Sequence, residues 1–347
     1  MRRALIIGVS GLSLTAEEKE FISSVLPAGL ILFARNISGR EQLKNLIHDY
    51  RDHVGDKKAP VLVDQEGGKV QRLRPPLAPN YPNAQIMGEI YQRDTKKGIR
   101  AAWLNARLIG DDLHSFGFNV DCDPVLDLKI SGAHDIIGTR AYGETVESIV
   151  ALAQAKIEGL LAAGVLPVIK HIPGHGRARA DSHLELPVVK TSHAELSKTD
   201  FAPFKALKTA PFAMTAHVVY ADIDKDNPAT TSKTMIEDVI RGEIGYEGAL
   251  MSDDLGMKAL SGSFADRAAK SLEAGCDLIL HCSGAMDEMR DIESVVPRLS
   301  GQALLRYEAA LAQLHVPQPF NRDEAEAELK SLLAEANAEA SFETLVA

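Results

Sequence analysis

The 347-residue chain contains only three cysteines, Cys122, Cys276 and Cys282. An odd number without metal-ligand or disulfide spacing excludes a disulfide framework and suits a reducing compartment. No stretch approaches the ~20 apolar residues that a membrane-crossing helix needs. Runs of Lys and Arg are missing too, and the formal net charge is -10. Binding to nucleic acid requires clustered cations, so that class of partner is excluded. Internal repeats and low-complexity linkers are absent, so nothing marks a second folded domain. The beginning, Met1-Arg2-Arg3 before the apolar stretch 4–14, has the outline of a secretory leader. Gly8, Ser10, Gly11 and Ser13 interrupt that stretch, and Thr15 with Glu18 forms a capping-box signature for a helix. A cytoplasmic protein with a small-molecule partner is expected.

What the sequence does contain is alternation. Hydrophobic residues make up 45% and charged residues 25%, an ordinary balance for a globular chain with one large core. Short apolar runs near 5–9, 30–33, 61–63, 119–122, 166–169, 213–215, 249–251 and 278–280 alternate with amphipathic stretches, the pattern of a parallel α/β sheet. Eight strands predict a closed (β/α)8 barrel, although an open doubly wound sheet can also use eight. Ser38 with Glu41, and Ser192 with Glu195, repeat the capping-box signature. Between 146 and 163, Val146, Ile149, Val150, Ala153, Ile157, Leu160 and Leu161 fall at helical spacing. Beyond His281 the pattern is helical and increasingly acidic, with Glu324, Glu326, Glu328, Glu335 and Glu339. The expected organisation is a barrel over 1–310 followed by a helical tail over 311–347, solvated along its acidic face and packed on or extending from the barrel.

Barrel enzymes assemble their sites from loops at the C-terminal ends of the strands, and the polar residues of this chain fall there. Arg35 and Asn36 follow the second apolar run, Asp64 to Glu66 the third, Asp123 the fourth, Lys170 and His171 the fifth, His217 the sixth, Asp253 and Asp254 the seventh, and His281 the eighth. The densest chemistry lies in Lys170-His171-Ile172-Pro173-Gly174-His175-Gly176-Arg177-Ala178-Arg179-Ala180-Asp181-Ser182-His183. Its glycines and proline favour a loop, and mobile loops over barrels often deliver catalytic groups. Asp181 and His183 are two residues apart, so the carboxylate can orient and stabilise the imidazole as an acid/base dyad. His171, His175 and His183 also raise a zinc reading, but their spacing fits no helix-borne motif and no metal is expected. Lys170 at a strand end admits an aldolase-type Schiff base, which leaves Asp253 unexplained. Consecutive strand residues point oppositely, so the residues alone do not choose between Asp253 and Asp254.

Together, Asp64-Gln65-Glu66-Gly67-Gly68-Lys69-Val70-Gln71-Arg72, the 170–183 segment and Ser252-Asp253-Asp254-Leu255-Gly256-Met257 resemble glycoside hydrolase family 3. The similarity is to its single-domain bacterial β-N-acetylhexosaminidases of cell-wall recycling and spans residues 5 to about 310. It implies a retaining exo-β-N-acetylglucosaminidase without metal or organic cofactor. Its substrate would be a cytoplasmic muropeptide carrying N-acetylglucosamine on 1,6-anhydro-N-acetylmuramic acid. By the resemblance Asp253 is the nucleophile, and His183 with Asp181 replaces the second carboxylate of most glycosidases. Asp64, Arg72, Arg140, Lys170 and His171 match the sugar-binding positions. An imidazole with an ordinary pKa of ~6.5 exchanges protons at neutral pH, so the assignment is chemically reasonable. Arg177 and Arg179 depart from a pattern of small or acidic residues and would meet either an anionic aglycone or water. Phosphate in place of water would make the enzyme a phosphorylase. A non-catalytic sugar-binding barrel is the reading from another class, and the intact Asp181, His183 and Asp253 speak against it.

Overall fold

The apolar runs form parallel strands that are buried almost throughout, as a sheet covered on both faces requires. The computed structural model describes residues 1–130, 132, 136–178, 182 and 185–335. The strands are β1 (Arg3–Ile7), β2 (Pro27–Leu32), β3 (Val61–Val63), β4 (Val120–Asp121), β5 (Leu166–Ile172), β6 (Phe212–Thr215), β7 (Ala249–Met251) and β8 (Ile279–His281). Each pairs with the next in sequence from β1 to β7. β8 returns to β1, with Leu5 opposite Ile279, and a parallel bridge from Met251 to Leu278 joins β7 to β8. The ring therefore closes as a (β/α)8 barrel, and the open doubly wound alternative is ruled out.

Local signals place the helices with one exception. Helix α1 (Ala16–Val25) begins at the Thr15 and Glu18 capping box, with both reciprocal bonds formed. Helix α2 (Arg40–Val54) is capped at Gly39 instead of Ser38, because Ser38 donates through its N–H and hydroxyl to the Gln42 side chain. Helices α3 (Ala84–Arg93) and α4 (Thr95–Phe116) lie between β3 and β4, and α5 (Val146–Ala162) between β4 and β5. On α5, Ile149, Ala153, Ile157 and Leu160 are buried, which is the face its helical spacing defines.

The acidic C-terminal segment is docked over residues 322–335. Helix α6 (Arg322–Glu335) packs on α4 and buries Ala325, Leu329 and Leu333. Its charges have partners there: Arg100 grips Glu328 through two bonds of 2.8 and 2.7 Å, and Arg322 reaches Asp111 at 3.0 Å and Asp112 at 2.7 Å. The Arg107 guanidinium lies 3.9 Å from the centre of the Phe320 ring, covering the connection. Opposite charges supplied by α4 are what turn a polar sequence into a docked helix.

Candidate active site

The C-terminal strand ends surround a cavity of about 410 Å³ whose lining includes Asp64, Glu66, Arg72, Arg140, Lys170, His171, Asp253 and Asp254. They arrive from four strands, β3, β4, β5 and β7, and the connections that follow them. Asp64 ends β3 and precedes a two-stranded antiparallel hairpin, Gln65–Gly67 with Val70–Gln71, that carries Glu66 and leads to Arg72. Gly67 and Gly68 make its turn at φ of 100° and 60°, a region that side chains disfavour. A Cβ at Gly67 would also stand 2.4 Å from the Pro82 carbonyl oxygen. Arg140 closes a short 3₁₀ turn, Gly138–Arg140, after β4. Lys170 and His171 lie within β5 rather than after it. The β5–β6 register shifts between Lys170 and Ile172, which lets two consecutive side chains line one cavity.

These residues form a charge-balanced basket. The Lys170 ammonium lies 3.0 Å from Asp64 and 2.8 Å from Glu66. Arg140 grips Glu66 with two bonds of 2.8 and 2.7 Å, and Arg72 reaches Asp64 at 3.0 Å. Charge-assisted bonds of this length are the strong kind, and the forked Arg140 pair also fixes orientation. Burial would push both carboxyls up, but Lys170 and Arg72 hold Asp64 below the ordinary carboxylate range, and Arg140 and Lys170 do the same for Glu66. Burial opposes the charge on Lys170, and Asp64 and Glu66 overcome it, so its pKa is raised. An amine held protonated is no nucleophile, which disarms the Schiff-base reading.

The two aspartates after β7 have different surroundings. Asp254 turns its Oδ1 back onto the backbone, accepting from Cys282 N–H at 2.9 Å and Gly256 N–H at 3.1 Å. Asp253 accepts one hydrogen bond among the described residues, from the Asp254 N–H at 2.8 Å. Burial pushes the Asp253 carboxyl up. His217, His171, the Asp254 N–H and Lys170 outweigh it, leaving a carboxylate below its usual range and ionised at neutral pH. Across the cavity, His171 Nδ1 meets the fully buried Asp127 carboxylate at 2.7 Å.

Several polar residues at the strand ends serve the frame instead. Asn36 holds the Val9 and Gly11 carbonyls, and Arg35 binds the carbonyls of Val9 and Cys282. Asp123 pairs with Lys156 of α5 at 2.8 Å. His217 is fixed between Thr230 and the Asp254 carbonyl, while His281 meets Glu288 at 2.9 Å. Arg177 does not reach towards a ligand: Asp200 at 2.7 Å, Glu195 at 2.9 Å and Thr199 at 3.2 Å take its guanidinium. The expected dyad Asp181 and His183, and Arg179, lie outside the described residues. Sequence reasoning placed Glu66 at a strand end without giving it a role, and it overlooked Asp127. Glu66 had a signal, since it stands two residues from Asp64 and so faces the same side; Asp127 had none.

The model of the Glycosyl hydrolase family 3 N terminal domain matches residues 5–312. The chain belongs to glycosyl hydrolase family 3. Among relatives of this family, the β-hexosaminidase of Alkalilimnicola ehrlichii is 40% identical over 288 residues, 80% of each chain. That of Psychromonas ingrahamii is 38% identical over 299 residues, 84% of this chain and 87% of its own. Among solved family 3 structures, NagZ from Neisseria gonorrhoeae in complex with N-trifluoroacetyl-D-glucosamine matches with a TM-score of 0.86. It is 31% identical, with 95% of this chain and 98% of NagZ covered. As a family 3 glycoside hydrolase the protein cleaves a glycosidic bond, and the cavity at the C-terminal face of its barrel is where that fold places its chemistry.

Proposed function

We propose that this glycoside hydrolase is a retaining exo-β-N-acetylglucosaminidase that removes terminal β-linked N-acetylglucosamine from cytoplasmic muropeptides, with 1,6-anhydro-N-acetylmuramic acid as the aglycone. Catalysis belongs to residues 1–310, and the C-terminal segment that carries α6 is an appendage to them. The observation that carries the reading is the ionised Asp253 carboxylate, with only one hydrogen bond among the described residues, on a cavity whose other charges are paired. The β-hexosaminidase relatives and the glucosamine derivative bound to NagZ support the sugar.

In this mechanism an Asp253 oxygen attacks the anomeric carbon while the bond to the aglycone breaks, and His183 gives its proton to the departing oxygen. His183, oriented by Asp181, then takes a proton from water, whose oxygen attacks the same carbon and frees Asp253. Two inversions give net retention. Asp64 accepts from sugar hydroxyls, Arg72, Arg140 and Lys170 donate, and His171 presents its Nε2 to the sugar. Asp254 is a weaker candidate for the attack because its Oδ1 is committed to two backbone N–H groups.

The experiment is release of p-nitrophenol from the β-N-acetylglucosaminide. Asp253→Ala should abolish it, and full activity in that variant removes Asp253 from the role. His183→Ala should damage substrates with poor leaving groups most; equal loss on all aglycones counts against acid catalysis. Product analysis in phosphate buffer separates hydrolysis from phosphorolysis, which would yield a sugar 1-phosphate.

A further inference from the structure

The group behind His171 is used by nothing so far described. Asp127 has no solvent exposure, yet its carboxylate gathers three donors from β5 and the segment after it. Its Oδ2 meets His171 Nδ1 at 2.7 Å, and its Oδ1 accepts from His175 N–H at 2.7 Å and His171 N–H at 3.3 Å. Burial pushes the Asp127 carboxyl up, but His171, His175 and these bonds hold it below the ordinary range, so it is an acceptor only. A pure acceptor facing Nδ1 requires that nitrogen to carry the proton. Nε2 is then the ring atom left for the cavity that His171 lines.

We propose that Asp127 is a positioning residue: it fixes the tautomer and plane of His171, so that Nε2 faces the sugar, and ties the same strand to the start of the 174–183 segment through the His175 N–H. The kinetic part rests on the reading of the cavity as the N-acetylglucosamine site; the tautomer does not depend on it.

The geometry supplies a sharp test in Asp127→Asn. Two backbone donors converge on Oδ1, so the Asn oxygen must take that place and its NH₂ must take the place of Oδ2. The NH₂ then donates to His171 Nδ1 and moves the ring proton to Nε2. Nitrogen-15 spectra of histidine-labelled protein, with the His171 signals assigned by their loss in His171→Gln, should show Nδ1–H in the native enzyme and Nε2–H in Asp127→Asn. A native His171 protonated on Nε2 overturns the proposal whether or not the variant folds.

On the p-nitrophenyl N-acetylglucosaminide, Asp127→Asn should lower kcat/KM by about 10–100-fold, taking as the scale the loss seen when a metal-binding histidine is deprived of its orienting carboxylate. In a His171→Gln background the same change should cost less than twofold, because its effect passes through that ring. Equal losses in both backgrounds would mean a merely structural role and overturn the proposal. If the native enzyme releases no N-acetylglucosamine, the assigned sugar fails while the tautomer measurement still stands.

Discussion

Gly88 offers a test of how the cavity is built, from a position well outside it. The residue lies in α3, and a Cβ there would stand 1.7 Å from the Tyr142 carbonyl oxygen. Non-bonded atoms settle near 3.5 Å, so in Gly88→Ala the helix or the 138–143 turn must retreat by about 2 Å. Tyr142 is two residues from Arg140, whose bonds to Glu66 are 2.8 and 2.7 Å. A shift of that size carries those bonds out of hydrogen-bond range. Alanine gains about 1 kcal/mol over glycine in a helix interior. Overpacking costs about 1–3 kcal/mol, and a broken buried ion pair about 3–5 kcal/mol more. The losses dominate, so Gly88→Ala should be destabilised by at least about 3 kcal/mol in urea denaturation. Misplacement by an ångström or more at a binding residue can cost about 10²-fold in rate, and kcat/KM on the p-nitrophenyl substrate should fall accordingly. Gly11→Ala, with nothing within 4 Å of its Cβ, is the control and should be neutral. Wild-type KM and stability in Gly88→Ala would refute this account of how Arg140 is held.

Two further outcomes follow from groups away from the reacting atoms. Burial and the neighbouring His171 push the His175 imidazole down to about 4, against ~6.5 in an unfolded chain. The unfolded state therefore binds a proton first as the pH falls, and the protein loses up to about 3 kcal/mol between pH ~6.5 and ~4 from this residue. His175→Gln should show a shallower decline in urea midpoint between pH 7 and 4.5, and an unchanged slope would contradict the depressed value. Arg322→Met leaves Asp112 buried beside Tyr81 without its cation. Because Arg322 is itself partly exposed, the cost should be about 1–3 kcal/mol, less than for a fully buried pair. A urea midpoint equal to that of the native protein would show that α6 does not need this anchor.

Much of the fold was legible because its signals are local. Eight short apolar runs fell within a few residues of the eight observed strands, and the Thr15 and Glu18 box marked α1. The Ser38 box failed because Gln42, one residue beyond the expected partner, took its place. Closure was expected from the count of eight, which an open sheet also fits; the contacts that decide it join β1 to β8 and Met251 to Leu278, pairings that periodicity does not record. The placement of the acidic tail stayed open for a related reason. Polar spacing says only that a helix can be solvated, and Arg100 and Arg322 reach Glu328 and Asp111 across 228 and 211 residues.

The candidate cavity divides the same way. Position at strand ends, readable from the sequence, gathers Asp64, Lys170, His171 and Asp253 around one volume, where Arg72 and Arg140, supplied by the family resemblance, join them. The sequence by itself determined that these charges would collect at one mouth, because strand period and barrel handedness send every strand end to the same face. Only the tertiary structure decided how each is held: Arg177 by Asp200, Asp254 by the Cys282 backbone, Lys170 between two carboxylates, and His171 by Asp127, 44 residues away. Those pairings depend on distance in space, and one-dimensional order leaves that distance free until the barrel closes.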